Sequence, residues 1–340
     1  MRTCVEYIWI DKEQQYRSKC KVFHSTIDSL EQIPNWNFDG SSTNQNKQSE
    51  NTEVILVPIS LFNDPIRKEH HKLVLCECYH SYEEPTKCNQ RYKARKIFAN
   101  KKNTRPWFGM EQEYFILNSE TGLPFGYNPN KIQGQFYCGN GNINSYGRKF
   151  AEEHMKLCIN AGINISGINA EVAPGQWEFQ IGPCEGIEIG DHMHIARYLL
   201  YKNTELFNCF VTLDPKPLKG HQWNGSGCHT NFSTKQMRKG NKNHNGYYFI
   251  EKAIRKLSRK HNLHMKNYGD GNEERMTGKC ETADFEKFSW SVGGRDVSVR
   301  VGNETYENKK GYFEDRRPSS NCEPYLVSSM IFKTCCLHNK

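Results

Sequence analysis

The chain has no apolar run long enough to cross a bilayer, and its opening residues, MRTCVEYIWIDKEQQ, lack the charged-then-apolar pattern of a signal peptide. Both absences point to a cytoplasmic protein with no membrane partner. The 14 cysteines are scattered over 340 residues without CxxC pairs or zinc spacing, so reduced thiols are expected rather than a disulfide scaffold or a zinc module. There is no internal repeat and no low-complexity tract. Hydrophobic residues are lean at 36%, yet with 12% aromatics they suffice for packed cores, and the length exceeds one typical core, so two domains are expected.

Charge of one sign is in excess. The formal net charge is +8, with Lys and Arg dense in Lys93 to Arg105 and again from Lys235 to Lys266. Such a balance raises nucleic-acid binding. In the second stretch, however, Phe249, Ile250, Ala253, Ile254 and Leu257 recur at helical spacing with basic residues between them, the pattern of an amphipathic helix with a solvated outer face. No specific nucleic-acid partner is predicted, only weak attraction to polyanions.

Along the chain, short strand-like runs (VEYIWI, KCKVF, EVILVPI, KLVLCECY) fill the first part, interrupted by the loop NFDGSSTNQNKQSE. This reads as a small β-rich domain over residues 1–84. A polar linker, SYEEPTKCN, and a basic helix, RYKARKIFAN, open the larger domain, 85–340, where strands carrying acidic residues alternate with helices expected at Ser145 to Ala161, Gly190 to Cys209 and Tyr247 to His261. The fold class is α+β.

Six metal-capable side chains lie in four segments of that domain. In FGMEQEYFIL, Glu111 and Glu113 stand two apart, so on a strand they share one face while Gln112 points away. In AEVAPGQWEFQIG the pair Pro174-Gly175 breaks the backbone, so Glu171 and Glu178 can converge across a turn, with Gln180 on the face of Glu178 and Trp177 and Phe179 on the other. On HTNFS, after a glycine-rich turn, His229, Asn231 and Ser233 line up. Near the end, Tyr312, Glu314 and Arg316 alternate with Phe313, Asp315 and Arg317. Taken singly, each segment could be the wet face of an antiparallel strand. Together, five carboxylates and one imidazole suit hard divalent cations, Mg²⁺ or Mn²⁺, and six ligands are more than one open catalytic metal takes, so two or three ions are expected.

With the segments in order, the chain resembles glutamine synthetase of the eukaryotic type. The matching words are WNFDGSST at Trp36 to Thr43, PWFGMEQEY at Pro106 to Tyr114, NAEV and QWEFQIGPCEG between Asn169 and Gly186, GCHTNFSTK at Gly227 to Lys235, and KKGYFEDRRPS at Lys309 to Ser319. The resemblance implies an N-terminal β-grasp domain and a catalytic domain whose curved antiparallel sheet, backed by helices, forms half a barrel between subunits. It implies an ATP-dependent ligase that joins ammonia to L-glutamate through γ-glutamyl phosphate, in a homo-oligomer, a decamer of two pentameric rings with shared active sites. Residue by residue, Glu113, Glu171 and Glu178 match ligands of the metal near glutamate and ammonia. Glu111, His229 and Glu314 match ligands of the metal on the nucleotide phosphates. Arg295, Arg300 and Arg316 match the arginines around the transferring phosphoryl group, Arg295 and Arg316 also serving glutamate, and Arg275 matches the one on its α-carboxylate. Asp39 matches an acidic residue from the adjoining subunit, and Glu281 a flap glutamate. Gln222 and Trp223 match glutamate contacts, and Glu111, Glu178, Asn231, Ser233 and Tyr312 match nucleotide contacts.

The departures from the family pattern concentrate near the expected chemistry. Asp296 follows Arg295 where a small residue is usual. At about 5 Å and an effective dielectric near 20, its repulsion of ATP would be on the order of 3 kcal/mol, enough to slow the step ~100-fold, unless it points outward. Cys280 replaces a histidine before the flap glutamate, and Val301-Gly302-Asn303 replaces a stiffer ending after Arg300. The chain begins close before YIWID, from which a weaker assembly is expected. These departures keep a second expectation alive, a catalytically silent paralogue with a structural or binding role.

Overall fold

A computed structural model describes residues 2–46, 51–81, 83–100, 103–130, 133–219 and 223–337. The N-terminal sheet is built from β1 (Thr3–Ile10), β2 (Tyr16–Phe23), β3 (Trp36–Asp39), β4 (Glu53–Asn63), β5 (Lys72–Ser81) and the short β6 (Glu84–Pro85). Its order is β2-β1-β5-β4-β3, with β6 on β5; β1 and β5 run parallel and the other pairs antiparallel. Alternation along β1 divides its side chains between two cores. Val5, Tyr7 and Trp9 pack with Ile27 and Ile33 on one face, while Ile8 joins Leu73 and Leu75 in the main core of the chain.

The larger sheet has β7 (Trp107–Asn118) at its centre, with β8 (Ile165–Ala170), β9 (Gln176–Glu185), β10 (Cys209–Thr212), β11 (Cys228–Ser233), β12 (Trp290–Val292), β13 (Val299–Val301) and β14 (Phe313–Asp315). The order is β12-β13-β14-β11-β7-β9-β8, and β10 also pairs with β7. An α+β architecture follows, with an N-terminal sheet and a C-terminal sheet backed by helices. These are α1 (Gln90–Phe98), α2 (Arg148–Ala161), α3 (Glu188–Phe207), α4 (Lys235–Lys239), α5 (Gly246–Arg259), α6 (His261–Met265), α7 (Asn272–Arg275), α8 (Asn303–Glu307) and α9 (Pro324–Phe332).

The helix limits have local causes. The helix expected from Ser145 starts at Arg148 because Gly147 sits at φ 86, a left-handed conformation that only the next residue leaves. The one expected to reach Cys209 stops at Phe207, because Asn208 turns left-handed at φ 47 and the chain enters β10. Asn245 caps α5 by accepting the Tyr248 N–H at 3.0 Å, and the apolar stripe read from the sequence is the buried one, Ile250, Ala253, Ile254 and Leu257.

Candidate active site

The site lies on one face of the larger sheet and follows from strand parity. On β7, Met110, Gln112 and Tyr114 turn into the interior, which leaves Glu111 and Glu113 on the opposite face. Gln112 is fully buried, accepts from Arg197 Nε at 2.8 Å and donates to Ser320 Oγ at 2.8 Å. Pairing register then aligns the partners. His229 stands opposite Glu111, Glu178 opposite Glu113, Asn169 opposite Glu178, and Asn231 and Arg300 both opposite Glu314. Residues directly opposite on one face bring their Cβ atoms to about 5 Å, and like charges there repel.

Glu111, Glu113, Asn169, Glu178, His229, Arg300 and Glu314 wall a polar cavity of about 160 Å³, together with Glu171, Arg275, Glu281, Arg295 and Arg316. All six expected metal-capable side chains line it. His229 lies 3.7 Å from Glu111, 3.9 Å from Glu113 and 3.5 Å from Glu314. The tightest group is Glu111, Glu178 and His229, which offer one ligand atom each within 4.8 Å of one another; it draws on both of the ligand sets implied by the resemblance. Beside the cavity, and meeting it at Glu111, a mostly apolar cleft of about 490 Å³ is lined by Trp107, Phe108, Asn231, Ser233, Arg238 and Tyr312, among others. The Arg238 guanidinium lies 3.9 Å over the Trp107 ring and donates to Ser233 Oγ at 2.8 Å.

Electrostatics fit a cation in the cavity. Burial, opposed by the Gly227 N–H and by Arg275, pushes the Glu113 carboxyl up to about 7. Burial and the neighbouring Glu113 push Glu171 up to about 8. Glu178 is raised well above the usual carboxylate range by burial and then by Glu111, Glu171 and Glu113, and burial raises Glu111 as well. His229 is held well below its ordinary value, first by burial and then by Arg316, so it stays neutral and able to ligate. Mutually repelling acids beside a neutral imidazole form a donor set that a divalent cation satisfies. The carboxylates are also aimed by neighbours: Asn231 Nδ2 donates to Glu111 at 2.7 Å, the Gly227 N–H and Gln176 Nε2 to Glu113 at 2.9 and 3.2 Å, Asn169 Nδ2 to Glu171 at 2.8 Å, and Gln180 to Glu178.

The arginines converge from another side. Arg316 donates to Glu314 at 2.6 Å and to the Arg295 carbonyl at 3.0 Å, and Arg300 donates to Glu314 at 3.3 Å. Arg295 lies 3.8 Å from Glu281. Arg275 is buried, with Nε on Asn272 Oδ1 at 3.0 Å and Nη2 on the carbonyls of Arg316, Arg317 and Pro318 at 3.1, 2.9 and 3.3 Å. Burial pulls it down to about 10, still charged at neutral pH.

Other expected residues lie elsewhere. Asn231, Ser233 and Tyr312 line the apolar cleft rather than the polar cavity. Trp223 does not reach either one. It is buried in a separate cluster with Phe115, Phe136, Ala173 and Leu218, because a large apolar ring gains more from that core, and its neighbours Asn224 and Gly225 line the cavity instead. Gln222 falls outside the described residues. Asp39 sits at the exposed edge of the N-terminal sheet, where it accepts from the Ser41 N–H and hydroxyl at 3.1 and 2.8 Å, and its carboxyl is held down to about 2 by Ser41 and Thr52. Asp296 is exposed and does not line the cavity, whereas Cys280 does. Sequence reasoning missed Tyr137, Asn169 and Asn224 as lining residues. Asn169 was findable, since it sits two before Glu171 in a quoted word; Tyr137 lies in a loop without periodicity.

A family profile described as the catalytic domain of glutamine synthetase matches residues 88–251. A cytosolic glutamine synthetase isozyme of Daucus carota is 50% identical over 337 residues, covering 98% of this chain and 94% of that protein. Cytosolic isozyme 1-1 of Oryza sativa subsp. japonica is 49% identical over 335 residues, with coverage of 97% and 92%. The nodule isozyme of Lupinus luteus is 48% identical over 338 residues, with coverage of 98% and 94%. At this identity, over nearly the full length of both partners, the chain belongs to the glutamine synthetase family and is an enzyme of that family.

Proposed function

We propose that this protein is a cytoplasmic, ATP-dependent glutamate–ammonia ligase that makes L-glutamine through γ-glutamyl phosphate. The observation that carries this reading is the junction at Glu111 between a cavity of carboxylates, imidazole and guanidinium groups and an apolar cleft of nucleoside size. A phosphate chain entering from the cleft would meet the polar cavity where L-glutamate sits. Two or three Mg²⁺ or Mn²⁺ ions, held by Glu111, Glu113, Glu171, Glu178, His229 and Glu314, would supply charge neutralisation between the two anionic substrates.

The remaining work falls to the chain's own side chains. Arg295, Arg300 and Arg316 spread the charge of the transferring phosphoryl group, and their planar forks hold its oxygens two at a time. Arg275 has Nε and Nη2 committed to the backbone and Asn272, which fixes the guanidinium plane; Nη1 lies toward Gly227, and the side chain lines the cavity, placed for the glutamate α-carboxylate. Asn231, Ser233 and Tyr312 serve the nucleotide, with Trp107 supplying an aromatic wall. Ammonium must lose a proton before it attacks. Glu281 in this chain and Asp39 from a neighbouring copy are the proposed acceptors, and closure of the segment around Glu281 keeps water from the mixed anhydride.

The same reading assigns residues 1–84 to a β-grasp domain and 85–340 to a catalytic domain whose sheet curves into half a barrel shared between subunits. The assembly is a homo-oligomer, a decamer of two pentameric rings, with no specific nucleic-acid partner. The silent-paralogue alternative loses its main ground, since Asp296 lies outside the cavity. The deciding assay is γ-glutamyl hydroxamate or ADP formation by the purified protein with glutamate, ATP and Mg²⁺ or Mn²⁺. Turnover with either metal supports the ligase, and silence of the folded protein in both supports the alternative.

A further inference from the structure

Apart from Arg238, which lines the apolar cleft, the basic stretch from Lys235 to Lys266 is not used by the proposed chemistry. The structure gathers four of its lysines around a separate cleft of about 520 Å³, between α4, α5 and the C-terminal turn Lys333–Leu337. Lys235 and Lys239 come from α4, and Lys252 and Lys256 from α5. Each pair is four residues apart, one turn along its helix, so the two side chains of a pair leave the same helix face. Among the described residues no carboxylate lines the cleft. The nearest acid along α5, Glu251, is directed at Arg255, 3.9 Å away. Met237 and Phe249 give the cleft an apolar side. Lys256 is already oriented, donating to the Cys335 carbonyl at 2.9 Å.

We propose that this cleft binds a small organic bisphosphate, at a site distinct from the catalytic cavity. Charge sets the ligand class. Four ammonium groups around one cavity repel one another in the absence of an anion, and one phosphate monoester carries roughly −1.5 to −2 at neutral pH. Two such groups therefore match four lysines, and the two lysine pairs offer one pair per phosphate. The volume falls within the range of small-molecule sites, about 300–1,000 Å³, and the apolar side favours a carbon skeleton over an inorganic ion. The site shares no lining residue with the polar cavity or the apolar cleft. It is therefore testable whatever the fate of the ligase reading.

The test is titration calorimetry of the intact protein with fructose 1,6-bisphosphate, in EDTA so that no divalent cation carries phosphate into the catalytic cavity. Saturable binding at one site per chain is expected, steeply weakened by salt. The double variant Lys252→Ala, Lys256→Ala, checked for folding by circular dichroism, should bind ~100-fold more weakly, since each lost charge-assisted hydrogen bond costs about tenfold or more. Lys252→Arg, Lys256→Arg should bind within a few-fold of the parent. No heat at millimolar bisphosphate, unchanged binding in the alanine variant, or inorganic phosphate binding as tightly as the bisphosphate would overturn the proposal. Loss of binding in Arg295→Ala, Arg316→Ala with the lysines intact would overturn it too, because it would place the ligand in the catalytic cavity.

Discussion

The cluster of raised carboxylates makes the stability of the metal-free protein depend on pH in a direction that can be worked out. An ordinary glutamate has a value of 4.5, and folding holds Glu113 at about 7 and Glu171 at about 8. Since these folded values lie above the unfolded one, the folded state binds more protons between them. The contribution is complete below about 4.5 and is lost as pH rises through 7 and 8. His229 acts in the opposite sense, because its value is pulled down, but its contribution is complete above the unfolded value of 6.5. A window from pH 6.5 to 8.5 therefore isolates the carboxylates. Integrated over that window, Glu113 loses roughly 1 kcal/mol and Glu171 roughly 2 kcal/mol, about 3 kcal/mol together. At roughly 2 °C per kcal/mol for a chain of this size, the Tm in EDTA should fall by about 5 °C. With saturating Mg²⁺ or Mn²⁺ the fall should disappear, so the gain in Tm from metal grows with pH. Differential scanning calorimetry in EDTA and in metal provides the measurement. A metal-free Tm that stays flat or rises across the window, with a metal effect independent of pH, would refute the reasoning that these acids crowd one cation site.

Four further outcomes follow from particular residues. Glu171→Ala should abolish glutamyl hydroxamate formation while leaving the far-ultraviolet dichroism unchanged, and should raise the metal-free Tm at pH 8 by relieving Glu113; retained turnover would remove Glu171 from the site. Arg317→Met leaves the fully buried Asp315 without its partner at 2.7 Å, and urea unfolding should show a loss of about 3–5 kcal/mol. Asp296→Asn should change kcat less than about twofold, the cost of an exposed charge being below ~0.5 kcal/mol; a gain near 100-fold would mean that the charge reaches the phosphates after all. Light scattering should report a large homo-oligomer, and a monomeric mass would contradict a site shared between neighbours.

Much of the site was legible because strand parity is local. In FGMEQEYFIL and QWEFQIG, alternate residues go to opposite faces whatever the rest of the chain does, so Glu111, Glu113 and Glu178 could be separated from Gln112, Trp177 and Phe179 by inspection. The helix near Tyr247 was equally plain, its apolar stripe and Asn245 cap lying within one segment. What escaped depends on distant partners. Strands as short as β12 and β13 carry little pattern of their own and exist because β14 and its neighbours pair with them. Tyr137 reaches the cavity from a loop whose course is fixed by backbone bonds such as Cys138 N–H to Ala170 C=O at 3.0 Å. The burial of Trp223 against Phe115 and Phe136 likewise depends on distant partners and leaves no local pattern to read.

The interleaving of Glu111 and Glu113 with Met110, Gln112 and Tyr114 on β7 ties two requirements to a single counting rule. Insert or delete one residue in that strand and both acids are driven into the interior while the core residues emerge into water. The Arg197 fork on Gln112 resists such a slip from behind. Side chains at individual positions of this strand can be exchanged one at a time, whereas a slip in register between Met110 and Tyr114 would spoil foldability and chemistry at one stroke.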